Sequence, residues 1–512
     1  MKKKNRKKNK ALRIFVYIVV GLVYILSYTI YCACDWAKDV FNVGIEEIIF
    51  TLSNPLKGTG EEVMKDFVNT CVPKIVFFAV LYIAVVIVDW NLNVSVVLYT
   101  KIKKLRIRIN LMKTARVVCA CFCFVALGQS LFFVDEHYQL FAFVKNRMNA
   151  TTIYEEYYIN PKNVNIRLAE NGEKKNLIYI YLESMETTYA SVENGGRQPT
   201  EYMPLLGLTA KDNLSFSNTE KLGGFRNTVG TTWTMGSLLA TTSGIPFSFP
   251  VDSNDMDKRD TFAAGLTNLG DILQNFGYRQ EFLCGSNAEF AGRETYFRSH
   301  GNYEIFDLFT AREQGFIEAD YHNGFWGYED RYLYEIAKSE LLRLSASDQP
   351  FNLTLLTVDT HHFAGYTCAL CEEEYETPTA NVVSCADRQA YHFIEWCKQQ
   401  DFYKDTVIVV AGDHPRMDTY LVEELEEEEI RPIYNCFINV TARETTRKYN
   451  RVFTPMDIFP SVLSAMDFVW DGNRLGLGTD MFSGRQTLAE ELGFEYLNEE
   501  LSKSSNYYNR FN

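Results

Sequence analysis

The sequence predicts an α/β protein: N-terminal membrane-spanning helices, then an α/β domain with a mostly parallel central sheet. Three observations carry this expectation. Apolar residues crowd into the first 135 of 512 positions, in runs long enough to cross a bilayer. Beyond about residue 175, short continuous apolar runs alternate with amphipathic stretches, the pattern of doubly buried strands covered by helices. A chain of 512 residues also exceeds a single core, so at least two units are expected. The expected organisation is a membrane anchor over 1–135, a linker or tether over 136–175, an extracytoplasmic α/β domain over 176–490 and a polar tail over 491–512, frayed from Ser502 onward.

The anchor reads as three crossings. Met1–Lys10 carries seven Lys/Arg and precedes the apolar run Ala11–Cys34; further runs cover Val72–Val88 and Val117–Val134. Each is near the ~20 residues that span a hydrocarbon core of about 30 Å. A cleaved signal peptide is the rival reading of the first run, but no small-x-small cleavage site follows it and two more spans do. Lys101–Arg116 holds seven basic and no acidic residues, whereas Asp35–Phe67 holds seven Asp/Glu against three Lys. The positive-inside bias then keeps the N-terminus and the Lys101–Arg116 loop in the cytoplasm and delivers everything after about Asp135 to the other side.

The formal net charge of −14 excludes nucleic acid as a partner, because a polyanion needs a basic surface. Six of the twelve cysteines (Cys32, Cys34, Cys71, Cys119, Cys121, Cys123) lie in or beside the apolar runs, where Cys acts as a small hydrophobe. The other six (Cys284, Cys368, Cys371, Cys385, Cys397, Cys436) fall in the external domain, where disulfides can form. Cys368 with either Cys371 or Cys385 reads as a staple. A zinc site built on this CxxC is the rival, and it lacks a second such pair.

In the α/β domain Asn176–Leu182 (NLIYIYL), Phe351–Val358 (FNLTLLTV) and Thr406–Val410 (TVIVV) read as buried parallel strands, with Asp330–Leu344 and Asp387–Gln399 as helices between them. Each strand runs into ionisable groups: Glu183, then Asp359-Thr360-His361-His362, then Gly412-Asp413-His414. Singly these read as solvated loop or turn residues. Ligands of open α/β sheets bind beyond the carboxyl ends of the strands, so together they point at one edge.

Thr231–Pro246 (TTWTMGSLLATTSGIP) places Met235, Leu238 and Leu239 at helical spacing from Thr234, and Gly244 with Ile245-Pro246 ends the helix. Thr234 therefore lies at or beside a helix N-terminus, where free N–H groups and the dipole favour an anionic phosphoryl group. A threonine hydroxyl needs a base or a metal to become a nucleophile. Glu183, Asp413 and His414, with Thr234 as fourth donor, suit Zn²⁺ or Mn²⁺. The plain alternative is that Thr234 only caps the helix.

These residues belong to six ordered motifs: IYLES (180–184), GTTWTMGSLLATTSGIP (230–246), TVDTHH (357–362), VVAGDH (409–414), TPMDIFPSVL (454–463) and GLGTDMFS (476–483). Together they resemble the sulfatase-like alkaline phosphatase superfamily, and within it the membrane phosphoglycerol transferases of the MdoB and lipoteichoic acid synthase type. The resemblance implies a sulfatase-like catalytic domain in a bacterial, multi-pass membrane protein. It implies a phosphatidylglycerol-type donor and a phosphoglycerol group passed through a covalent threonine. The acceptor would be a hydroxyl on an envelope glycan, glycolipid or polymer. It further implies one divalent metal, Mn²⁺ ahead of Zn²⁺ or Mg²⁺, held by Glu183, Thr234, Asp413 and His414. His361 and Arg293 (in FAGRETYFRSH, 290–300) would contact the substrate phosphate. Thr231 is the alternative nucleophile; the ten-residue step from Thr234 to Gly244 favours Thr234. The Cys/Ser-x-Pro-x-Arg sequence of true sulfatases is absent, which argues against sulfate-ester hydrolysis. A phosphoethanolamine transferase, a phosphodiesterase and an inactive binding module are the remaining readings.

Four further features have bland readings. The acidic run Glu423–Glu429 is expected as a solvated helix face. Trp233 walls the pocket or packs in the core, and His322 and Trp326 (HNGFWG) are candidates to reach the site from a loop.

Overall fold

The computed structural model describes residues 2–40, 44–45, 48–49, 61–91, 95–99, 106–170, 172–248, 261–418, 420–422, 429–440 and 447–511. The acidic run 423–429, apart from Glu429, lies outside these, as do residues 100–105 of the basic loop and most of 41–60. The described residues form two compact units, one of residues 2–40 and 61–142, the other of residues 143–511 together with 44–45 and 48–49.

The first unit consists of α1 (Lys2–Val40), α2 (Glu61–Asn91) and α3 (Leu111–Tyr138), with a short antiparallel ribbon, Ser95–Tyr99 against Arg106–Asn110, between the last two. Ala11–Lys38, Lys65–Asn91 and Arg116–Tyr138 are each long and apolar enough to cross a membrane, and they mark a membrane protein. Phe15, Phe77 and Phe122 stand more than half exposed on these helices, as side chains that face lipid do. The second span is longer than its apolar centre suggests, because it continues through Lys74 to Lys65. Asp89, near the end of α2, takes ion pairs from Arg13 of α1 at 3.3 Å and Arg116 of α3 at 2.7 Å. One carboxylate thus ties three helix ends together, as polar residues at membrane depth require.

The second unit is a six-stranded sheet of β1 (Asn176–Leu182), β2 (Arg279–Cys284), β3 (Glu304–Phe306), β4 (Phe351–Leu356), β5 (Thr406–Gly412) and β6 (Asn435–Ile438), in the order β3-β2-β4-β1-β5-β6. Only β6 is antiparallel to its neighbour. In the central register Ile178 of β1 faces Leu353 of β4 and Ile408 of β5. The main helices are α4 (Pro204–Asp212), α5 (Thr234–Ser243), α6 (Arg293–Ser299), α7 (Asp330–Ser345), α8 (Pro378–Lys398) and α9 (Pro455–Ala465).

The period of two along each strand separates two cores. Tyr179, Tyr181, Val407 and Val409 pack with Leu238 of α5 and Phe459 and Leu463 of α9. Ile178, Ile180, Ile408 and Val410 pack with Leu206 of α4, Leu341 of α7 and Ile394 of α8. Burial on both faces is why NLIYIYL and TVIVV read as unbroken apolar runs. The helix expected from Asp387 starts nine residues earlier, at Pro378, where proline at N1 needs no N–H partner.

Residues 143–175 of the segment expected as a tether, and the tail expected to fray, are instead part of this unit. Ile153 and Tyr154 are buried, and Thr151 N–H donates to Ser504 O at 3.0 Å. In the tail, the helix Phe494–Ser502 buries Leu497 and Leu501. Tyr508 is buried edge-on to Tyr154 (5.3 Å), and its hydroxyl donates to Pro246 O at 2.8 Å. The aromatic residues that interrupt the polar tail bury enough area to hold it down.

Candidate active site

The carboxyl ends of β1 and β5 deliver Glu183 and Asp413-His414 to one point. Gly412 precedes the pair because a Cβ there would lie 2.1 Å from Met185 O, so only glycine lets the strand pass this close. Ser184 turns the chain after Glu183 in the left-handed region (φ 51°), a conformation non-glycine residues keep only when held. The hold is visible: Ser184 N–H donates to Asp413 Oδ1 at 2.7 Å, and Ser184 Oγ donates to Glu183 Oε1 at 2.8 Å.

One donor atom each from Glu183, Asp413 and His414 lies within 4.8 Å of the others, all fully buried. His414 Nε2 is 3.3 Å from Glu183 Oε1 and 3.4 Å from Asp413 Oδ2. Its Nδ1 donates to Pro415 O at 2.8 Å, which turns Nε2 toward the carboxylates. Thr234 is the first residue of α5, not its cap. Trp233 holds the cap position without a side-chain bond. Thr234 Oγ1 is 3.4 Å from Glu183 Oε2 and 3.3 Å from His414 Nε2, and its residue is half-buried. α5 is fixed by a 2.8 Å bond between Thr241 and Tyr181 of β1. It ends at Gly244 (φ 72°), where a Cβ would meet Leu475 O at 2.7 Å. Thr231, by contrast, is buried with its hydroxyl spent on the Thr228 turn, donating to O at 2.9 Å and accepting from N–H at 2.9 Å.

The electrostatics ask for a cation. Burial, then the charge of Glu183, pushes the Asp413 carboxyl up to about 7. Burial opposes charge on His414, yet Asp413 and Glu183 beside it raise the imidazole to about 10. Glu183 stays below the usual carboxylate range: burial works against it, but His361 and His414 hold it ionised. Asp413 Oδ2 has no hydrogen-bond partner although it is wholly buried. A buried, orphaned carboxylate oxygen beside a second carboxylate and an imidazole nitrogen fits a divalent metal ion, which would take the place of the imidazolium proton, with mixed O/N ligands.

His361 lies on the loop after β4. Its Nδ1 donates to His362 O at 3.0 Å, and its ring lies 4.2 Å from that of Trp326. Burial lowers its proton affinity while the charge of Glu183 opposes this. Arg293 begins α6, is 6% exposed, and is close enough for its charge to act on His361. Its Nη2 donates to Ser286 Oγ at 3.0 Å and Asn287 O at 2.7 Å, and its Nε donates to Phe290 O at 3.1 Å. A two-pronged guanidinium fork is therefore already committed to the loop, and Nη1 is the edge left for a ligand. Trp326 does reach the His361–His362 loop, donating to His362 O at 2.9 Å. Trp233 packs in the core against Phe247 (5.6 Å, edge-on).

Sequence reasoning missed the support beneath the site. Arg416 is wholly buried, paired two-pronged with Asp418, and its Nη1 donates to Thr360 O at 3.1 Å. Glu186 accepts from Arg416 N–H at 3.2 Å and from Arg431 Nε at 2.8 Å. Asp330, at the start of α7, accepts from the N–H groups of Val358 and Asp359 at 2.7 and 3.0 Å, fixing the loop that carries His361. The available signal was charge directly beyond a strand motif, in ESME and HPRMD, where solvated residues would need no such pairing.

Residues 175–468 match the sulfatase family, from the start of β1 to just past α9. Over 325 residues the chain is 33% identical to phosphoglycerol transferase I of Escherichia coli (strain SMS-3-5 / SECEC), a match covering 62% of this chain and 40% of that protein. The chain thus spans about two fifths of that relative's length. Among solved structures, the integral membrane protein lipooligosaccharide phosphoethanolamine transferase A from Neisseria meningitidis shares the fold at a TM-score of 0.53 and 16% identity, over 92% of this chain and 87% of that one. Lipoteichoic acid synthase LtaP from Listeria monocytogenes overlaps 62% of this chain and 79% of its own at 18% identity and a TM-score of 0.48. With the family match covering more than half of the chain, this membrane protein belongs to the sulfatase family.

Proposed function

We propose that the chain transfers a phosphoglycerol group from a phosphatidylglycerol-type lipid to a hydroxyl of an envelope glycan, glycolipid or polymer, through a phospho-Thr234 intermediate. The observation that carries this reading is the Thr234 hydroxyl at a helix N-terminus, 3.3–3.4 Å from both His414 Nε2 and Glu183 Oε2. The identity with phosphoglycerol transferase I supports the choice of transferred group.

Glu183, Asp413, His414 and Thr234 would hold one divalent metal, Mn²⁺ ahead of Zn²⁺ or Mg²⁺. When bound, it lowers the pKa of the threonine hydroxyl and withdraws charge from the phosphoryl oxygens. The chain's own residues do the rest. The first N–H groups of α5 face the phosphoryl oxygens along the helix dipole. Arg293 presents Nη1 to the same anion, as a charge-assisted donor held rigid by the 286–290 loop. His361 can donate from Nε2 only as an imidazolium, since Nδ1 is already spent on His362 O; the phosphate anion favours that form.

Thr234 Oγ1 forms a bond to phosphorus, and the bond from phosphorus to the diacylglycerol oxygen breaks. The threonine proton ends on the departing diacylglycerol. An acceptor hydroxyl then attacks phosphorus, Thr234 Oγ1 leaves, and the acceptor's proton returns to it. With the basic N-terminus and the 101–116 loop in the cytoplasm, three crossings would deliver this chemistry to the extracytoplasmic side.

The test is an intact-mass spectrum of the full chain incubated with Mn²⁺ and phosphatidylglycerol. A phosphoglycerol-sized adduct is expected on the wild type and absent from Thr234→Ala. An adduct formed only with phosphatidylethanolamine would replace phosphoglycerol with phosphoethanolamine as the group carried. An adduct that persists in Thr234→Ala would move the nucleophile elsewhere.

A further inference from the structure

Three thiols that the transfer chemistry does not use meet on the far side of the His361 loop. Cys368 and Cys371 lie in the segment between β4 and α8, and Cys385 lies on α8 itself. Cys368 Sγ is 3.8 Å from Cys371 Sγ and 3.8 Å from Cys385 Sγ, and all three sulfurs are within 4.8 Å of one another. Cys368 and Cys385 are buried and Cys371 is half-buried; all three are unbonded to each other.

That spacing has a definite meaning. Sulfurs at about 2.3 Å from a tetrahedral Zn²⁺ are separated by about 3.8 Å along each edge. Two edges of such a tetrahedron are therefore already formed. Two N–H groups of the protein already point at the sulfurs. Leu370 N–H donates to Cys368 Sγ at 3.4 Å. Gln389 Nε2 donates to Cys385 Sγ at 3.3 Å and reaches Cys368 Sγ at 3.8 Å. A disulfide would use two of the sulfurs and give the third no task.

We propose that Cys368, Cys371 and Cys385 form a second metal site, a three-thiolate Zn²⁺ centre whose fourth position opens to solvent beside Cys371. The sequence conceals it because the third ligand comes from a helix rather than from a second CxxC. The ion would fasten the loop that begins at Asp359 and carries His361 to α8, without a covalent bond. This site is independent of the phosphoglycerol reading and stands or falls apart from it.

The test uses the full chain purified in detergent without chelator or reductant. Alkylation followed by peptide mass mapping is expected to leave Cys368, Cys371 and Cys385 unmodified until a chelator is added. Zinc analysis is expected to find the ion retained in Asp413→Asn, which disrupts the carboxylate–imidazole cluster, and lost in Cys371→Ser. Cobalt exchanged into the wild type is expected to give a thiolate-to-metal charge-transfer band that Cys371→Ser lacks. Alkylation of all three thiols without chelator would overturn the proposal, as would protection released by reductant and not by chelator, the mark of a disulfide. The wild-type alkylation decides the matter even if a cysteine variant fails to fold.

Discussion

The two ligand clusters of the α/β domain are built in opposite ways. Glu183, Asp413 and His414 sit on the ends of neighbouring strands, fully buried, and every one is braced: Ser184 N–H and His414 N–H both donate to Asp413 Oδ1, and Pro415 O holds His414 Nδ1. Cys368, Cys371 and Cys385 sit on a connecting segment and a helix, one of them half-exposed, braced by a single amide side chain and one backbone N–H. A centre on sheet ends keeps its atoms in place while charge develops nearby, which transfer chemistry requires. A centre on a loop and a helix can only position the loop. Their ligand chemistry differs in the same sense, O and N donors against soft sulfur.

The sharpest break between them comes at Thr234. Thr234→Ala is expected to lower turnover by on the order of 10⁴-fold, since it removes the proposed nucleophile. Zinc on the cysteine cluster is expected to stay. Thr234→Ser keeps a hydroxyl at the helix N-terminus and is expected to retain measurable turnover. A Thr234→Ala protein with wild-type turnover would remove Thr234 from the mechanism.

The same contrast explains what could be read in advance. The strand-end cluster was legible because β1 and β5 are buried on both faces, so their apolar runs stop abruptly where Glu183 and Asp413 begin. The helix that begins at Thr234 was legible from the 3.6 periodicity of Met235, Leu238 and Leu239 and the stop at Gly244. The apolar spans were legible because lipid imposes length and composition. What failed depended on tertiary partners. Tyr508 and Phe511 look like a polar tail's stray aromatics until the Tyr154 segment comes to meet them. Arg416 looks solvated until Asp418 and Thr360 O surround it. The three-cysteine cluster requires α8 to run alongside the His361 loop, and a linear spacing of three and then fourteen residues gives no hint of that.

The support beneath the strand-end cluster gives the next effect. Arg416→Met leaves Asp418 buried and uncompensated and strips a donor from Thr360 O, which is expected to cost about 3–5 kcal/mol of stability. Thermal unfolding of the detergent-purified chain measures it, and Arg416→Met with Asp418→Leu is expected to recover part of the loss. Equal stability of the single variant and the wild type would mean that the pair is not held as a buried unit.

Arg293 is expected to matter less, and in substrate use rather than in folding or metal content. Losing one charge-assisted bond to phosphate corresponds to about 1.5–3 kcal/mol, or roughly 10–100-fold in kcat/KM for the lipid donor. Arg293→Lys keeps a charge but cannot reproduce the planar contacts to Ser286, Asn287 and Phe290, so it is expected to recover little. Loss of bound metal in Arg293→Ala would instead give the residue a structural role.

The smallest effect concerns the loop that the two clusters share. Trp326→Phe retains a ring against His361 but loses the 2.9 Å bond to His362 O, a change of about 1 kcal/mol, or several-fold in KM for the donor. Trp326→Ala removes the ring as well and lets water reach His361. Burial holds the His361 pKa below its ordinary value, so exposure raises it. The imidazolium that donates to phosphate then survives to higher pH, and the pH at which donor KM begins to climb is expected to move upward in Trp326→Ala but not in Trp326→Phe. A shift of equal size in both variants would assign the effect to the lost hydrogen bond and not to water, and a shift in neither would detach His361 from donor binding.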